Sequence, residues 1–131
     1  MVIDGALPLG LIANTAAVLG ATLGKVVEDM IGHDLVDNEG NRHLGITTIP
    51  IPILKADRER IREIRMACNA PEMADLVVVD FCDAAQRTKT YADYERELAN
   101  TPAGELGYLG VALYGDQKKV NRLTGNLPLL R

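Results

Sequence analysis

A carboxylate closes the apolar run around which this chain is organised. Residues 75–83 read Asp75-Leu76-Val77-Val78-Val79-Asp80-Phe81-Cys82-Asp83. An apolar run bounded by polar residues predicts a strand buried on both faces, central in its sheet. Asp83 then sits at the carboxyl end of that strand, where α/β sheets place their chemistry. There it could serve as a general base, or orient a water or a substrate amide. The plainer reading is an acid that caps a loop. Asp4 ends a short first strand, Met1-Val2-Ile3. If the two strands are neighbours, Asp4, Asn14 and Asp83 face one cleft. Two carboxylates that close would drive one pKa upward and make an acid/base pair. The candidate catalytic groups are therefore Asp83, Asp4 and Thr88. Asn14, Thr15, Lys119 and Thr124 are the candidate ligand-binding groups, set against a plain solvated helix face for Lys119 and Arg122.

The elements that must position these groups follow from spacing. Gly5-Ala6-Leu7-Pro8 turns the first strand into a helix running to about Leu23, with Gly24 as its stop. That helix is apolar nearly all round, which predicts cover on most sides. Asp37-Asn38-Glu39-Gly40-Asn41 is a strong turn signal, so residues 34–44 read as a surface hairpin or loop. Residues 46–54 are β-branched and apolar, but Pro50 and Pro52 remove two donors, so this strand pairs on one side or lies at an edge. Asp57 caps a helix through about Cys68 that buries Ile61, Ile64 and Cys68, with the arginines on its solvated face. Thr90 with Asp93 starts a helix with a Tyr91, Tyr94 and Leu98 stripe. A last strand, residues 108–114, and a short basic helix, residues 116–122, complete the order. The prediction is a single α/β domain over residues 1–131, a small mixed sheet of about four strands flanked by helices.

Composition narrows the chemistry. The net charge is −4 over 131 residues, so no global field draws in nucleic acid or anionic lipid. Residues 84–131 are locally basic, seven Lys/Arg against five Asp/Glu, which leaves room for a basic patch. Cys68 and Cys82 lack metal-ligand spacing and read as buried free thiols of a reducing cytoplasm. His33 and His43 lack a third ligand. No metal and no cofactor is expected. Residues 5–24 carry no charge and have about the length of a membrane span. Pro8, Asn14, four glycines and the absence of a preceding positive charge make this a core helix instead.

Six segments carry a resemblance. Gly115-Asp116-Gln117-Lys118-Lys119-Val120-Asn121-Arg122-Leu123-Thr124-Gly125-Asn126-Leu127-Pro128-Leu129-Leu130 resembles the C-terminal pattern of the archaeal and eukaryotic type of peptidyl-tRNA hydrolase (Pth2). Asp83-Ala84-Ala85-Gln86-Arg87-Thr88 is similar to that family's Asp-Ala-Gly-Arg-Thr loop with one residue added. With Asp4-Gly5-Ala6-Leu7-Pro8, Ile12-Ala13-Asn14, residues 45–54 and Tyr108-Leu109-Gly110-Val111-Ala112-Leu113-Tyr114, the whole chain looks like a DUF2000 protein, an uncharacterised branch of that fold. The resemblance implies a Pth2-like fold and a homodimer, and carries over Asp83 and Thr88 by position. It does not carry over the hydrolase lysines: the matching stretch is Gly5-Ala6-Leu7-Pro8-Leu9-Gly10-Leu11. Nor is the first-helix His present, since Val18 stands near its place. Without the lysines the phosphate backbone of tRNA loses its main hold. The expected function is a diverged hydrolase-like domain that binds or acts on a small ligand near Asp83. The alternatives are an aminoacyl- or peptidyl-tRNA ester hydrolase and a non-catalytic dimeric binding module.

Overall fold

The computed structural model describes all residues, Met1–Arg131. In chain order the elements are β1 (Val2–Asp4), α1 (Leu9–Val26), β2 (Leu35–Val36), β3 (Arg42–His43), β4 (Leu54–Ala56), α2 (Arg58–Ala67), β5 (Val77–Cys82), α3 (Asp83–Arg87), α4 (Tyr91–Asn100), β6 (Tyr108–Tyr114) and α5 (Gln117–Thr124). Four strands form one mixed sheet in the order β4-β1-β6-β5. β1 runs parallel to β4 and antiparallel to β6, and β5 runs antiparallel to β6. The small hairpin β2–β3 stands apart. The expected α/β class and mixed four-stranded sheet are therefore present.

One expectation fails at its centre. β5 is an edge strand, and the interior strands are β1 and β6. An apolar run reports burial, and burial can come from side chains without a second neighbouring strand. Val77, Val78 and Val79 are half-buried, and only Phe81 and Cys82 reach the core. Asp80 interrupts the run without a free charge, because Arg65 Nε of α2 donates to its Oδ2 at 2.6 Å. β4 does lie at an edge, as Pro50 and Pro52 require. It is shorter than the apolar stretch, however, since the prolines leave residues 49–53 outside the ladder. Its outer side takes the C-terminal tail: Lys55 N–H donates to Pro128 O at 2.8 Å and Leu130 N–H to Ile53 O at 2.9 Å.

Two apolar layers sandwich the sheet. On one face α1 packs Leu19 and Leu23 against Ile3, Phe81, Leu109 and Ala112. On the other, α2 and α5 pack Ile61, Ile64 and Leu123 against Val2, Cys82 and Val111. Ile61 and Ile64 are fully buried, each worth about 1.5–3 kcal/mol. Asp57 caps α2 by accepting the Arg60 N–H at 2.8 Å, and Thr90 caps α4 by accepting the Asp93 N–H at 3.1 Å.

Three helices differ from their predicted faces. α1 runs past Gly24 to Val26 and buries only Thr15, Leu19 and Leu23. It is long and apolar enough by length and composition to cross a membrane, yet it lies with one face on the sheet and the other exposed. Apart from Leu9 and Val26 at its two ends, alanine and glycine rather than large side chains make its outer face apolar, so exposure there costs little. α2's arginines are not simply solvated: Arg58 and Arg65 reach back to strand carboxylates. α4 buries no residue, and Tyr91 is 82% exposed, because α4 lies beyond the sheet edge rather than over it.

α1 can approach β6 only because residue 110 is a glycine. A Cβ there would stand 2.6 Å from Thr15 Cγ2 and 3.2 Å from the Val2 carbonyl oxygen. Thr15 is fully buried, and its hydroxyl donates to Leu11 O at 2.7 Å. This threonine, a candidate ligand residue by sequence, is packing. Gly110→Ala should destabilise the domain by about 1–3 kcal/mol in urea unfolding, the usual range for overpacking. Thr15→Ser, which removes Cγ2, should recover part of that loss in the double variant. An additive double variant would contradict the close-approach account.

Candidate functional site

Asp83 opens α3 directly after β5. Its main chain and side chain both engage Gly107, in the turn before β6. Asp83 N–H donates to Gly107 O at 2.9 Å, and Gly107 N–H donates to Asp83 Oδ1 at 3.1 Å. Arg87 Nη1, one helical turn on, donates to Asp83 Oδ2 at 2.7 Å. The same guanidinium reaches Glu97 of α4 at 3.0 Å. Hydrogen bonds to Glu97 and to Asp83 hold the Arg87 pKa above its ordinary value. A Cβ at position 107 would lie 2.7 Å from Asp83 Oδ2, so any larger residue there would displace this carboxylate. Asp83 is thus a strut joining the β6 turn, α3 and α4. Both carboxylate oxygens are occupied, which is the capping role rather than that of a free base.

Asp4 is 3% exposed, and a carboxylate buried so deeply needs partners. It has two: Ala6 N–H donates to Oδ1 at 2.9 Å and Arg58 Nε to Oδ2 at 2.9 Å. Asp4 and Asp83 lie at the same end of the sheet, but β6 runs between their strands. They share no hydrogen-bond partner, and each has its own arginine. The structure does not make them an acid/base pair. Asn14 is exposed on the outer face of α1 and makes no side-chain hydrogen bond.

Lys119 and Thr124 stand at the other end of the sheet. Lys119 Nζ donates to Asp75, which precedes β5, and this contact lowers the Asp75 pKa. Thr124 is buried, and its hydroxyl donates to Val120 O at 2.8 Å. A strand as long as β5 separates these two residues from Asp83, so one rim cannot hold all the sequence candidates.

Thr88 borders a true cleft. A slot of about 470 Å³ runs beside β5, between α1 and the segment leading into α4. Val79, Asp80 and Phe81 all line it. Side chains alternate along a strand, so three consecutive residues can share a cleft only along the strand's unpaired edge. Val18 and Thr22 of α1 form one wall; Thr88, Lys89, Thr90, Tyr91 and Tyr94 form the other. The threonine hydroxyl protons are already spent: Thr88 on Ala84 O, Thr22 on Val18 O and Thr90 on Asp93. Burial first, then Cys82 and Asp80 nearby, push the Tyr94 phenol to about 12, so it stays protonated at any physiological pH. Lys89 makes no ion pair. The sequence reading missed Lys89, Tyr94 and Arg87. Only Arg87 had a legible signal, its i,i+4 spacing from Asp83.

The strut account sets an order of stabilities. Asp83→Asn keeps an acceptor for the Gly107 N–H and loses a half-exposed ion pair, a cost below about 1 kcal/mol. Asp83→Ala also leaves that N–H without its acceptor, which raises the cost to about 1–3 kcal/mol. Urea unfolding should rank wild type, Asn, Ala in falling stability. An Asn variant as damaged as Ala would contradict it.

No groups of three or more His, Cys, Asp or Glu converge as a metal site. No match is found among curated proteins. Among solved structures, the chain superposes on that of Atu0240 from Agrobacterium tumefaciens str. C58, described as a protein of unknown function. The TM-score is 0.86 at 20% identity, covering 98% of this chain and 93% of that one. That likeness shows a shared fold. The family model described as "Protein of unknown function (DUF2000)" matches residues 1–131, and the chain belongs to the DUF2000 family.

Proposed function

We propose that this domain binds a small anionic organic molecule in the slot beside β5, and that its strand-end carboxylates shape the site instead of reacting. The observation that carries this reading is Lys89, a cation without a carboxylate partner at the lip of a cleft with an apolar floor. Asp80 lines the same slot, but its carboxylate is turned to Arg65 on the opposite face of the sheet. The local positive charge is therefore uncompensated, and an anion entering a partly desolvated cleft gains more from it than in bulk water. The outer edge of β5 offers main-chain N–H groups without strand partners. Val18, Phe81 and Ala85 offer apolar surface to the body of the ligand.

The hydrolase alternative asks for a free base and for lysines along a phosphate path. Asp83 is held by Arg87 and Gly107, and residues 5–11 contain no lysine. Both observations favour binding over hydrolysis. Cys68 and Cys82 are buried free thiols, in keeping with the reducing cytoplasm to which we assign the domain.

The test is amide chemical-shift mapping against a panel of small carboxylates and organic phosphates. A hit should shift residues 79–81 and 88–91 saturably, and Lys89→Glu should weaken it at least tenfold, about 1.4 kcal/mol. Hits that map elsewhere, or that bind Lys89→Glu as tightly, would sink the proposal.

A further inference from the structure

The second cleft lies at the opposite end of the sheet from Asp83. It is a cavity of about 420 Å³, within the size range of small-molecule sites. Three parts of the chain build it. At the start of β1 and the end of β6 the apolar floor is Leu54, Leu113 and Leu127, which are part-exposed, while Val2 and Val111 are fully buried. One wall is residues 49–52, the stretch whose two prolines keep it out of the sheet. The other wall is α5, where Gln117, Asn121 and Thr124 fall at spacings of four and three and so share a helix face.

The chemistry of this lining is specific. No Asp, Glu, Lys, Arg or His borders the cavity. Besides the Tyr114 phenol, the one ionisable group is the Met1 α-amine, which donates to the Pro52 carbonyl oxygen at 2.8 Å and whose pKa is lowered by burial. A charged ligand would lose its hydration here without gaining a charged side chain as counter-ion, a costly exchange. An apolar body would lose nothing. The Gln117 and Asn121 carboxamides make no hydrogen bond within the protein and stand at the mouth, each with a donor and an acceptor to offer.

We propose that this cavity is a binding site for an uncharged small molecule, its aliphatic or aromatic body against Leu54, Leu113 and Leu127 and its single polar head between Gln117 and Asn121. The site is separate from the slot beside β5 and does not depend on what that slot binds. It also gives residues 49–52 a role: the prolines hold a wall open where a paired strand would have closed it.

The test is a titration of the full chain with 1-octanol and, in parallel, with octanoate, followed through the methyl resonances of Leu54, Leu113 and Leu127. Octanol should shift them saturably, and octanoate should bind at least tenfold more weakly. Leu113→Trp, which fills the cavity, should abolish octanol binding. The double variant Gln117→Ala/Asn121→Ala changes only exposed side chains, so it tests the head group even if Leu113→Trp fails to fold; it should weaken octanol at least fivefold. Unsaturable shifts at these methyls, or octanoate bound as tightly as octanol, would overturn the proposal. Shifts confined to residues 79–91 would overturn it while leaving the reading of the slot intact.

Discussion

β6 hydrogen-bonds on both sides, to β1 through Val111 and Gly110 and to β5 along six residue pairs. The rest of the architecture depends on that double pairing. β6 carries apolar side chains on both faces, and so α1 lies over it at Gly110 while α2 and α5 cover Val111 from below. The sheet that results has two edges, and the chain treats them differently. The β4 edge is closed by the C-terminal tail through Pro128 and Leu130. The β5 edge has no such strand, and the slot lies there.

The strand-end acids show how this geometry sets chemistry. β1 and β5 point the same way, so Asp4 and Asp83 emerge at one end of the sheet. A buried or half-buried carboxylate is stable only if paired, and each acid meets an arginine: Arg58 of α2, 54 residues further on, for Asp4, and Arg87, four residues further on, for Asp83. The first pair ties α2 to β1; the second lies within α3, and Arg87 extends it to Glu97 of α4. Among the residues lining the slot, the cation without a carboxylate partner is Lys89, two residues beyond Arg87. Charge matching inside the fold thus uses up the groups that resemble catalytic ones and leaves the slot with a lysine.

Much of the fold was legible because it is written locally. The caps at Asp57 and Thr90, the turn around Gly40 and the buried Ile61 and Ile64 follow from short-range spacing, and the structure has each of them. What was not legible is long-range. Nothing in Val77-Val78-Val79 says whether a strand has one neighbour or two, so β5 was read as central. The apolar character of α1 came from alanine and glycine, which tolerate exposure as well as burial. The candidate site was half legible. Thr88 lies at the slot and Asp83 holds its wall. Lys119 and Thr124 belong to the far end of the sheet, because a C-terminal helix returns to where β6 ends and not to where β5 ends.

The most direct test of this account concerns Asp83. Purified protein would be incubated with a peptidyl-tRNA, with Asp83→Asn beside it, and release of free tRNA measured. A strut beside a binding slot predicts no release above buffer for either protein. Release by the wild type that Asp83→Asn abolishes would make Asp83 a catalytic base and contradict the account.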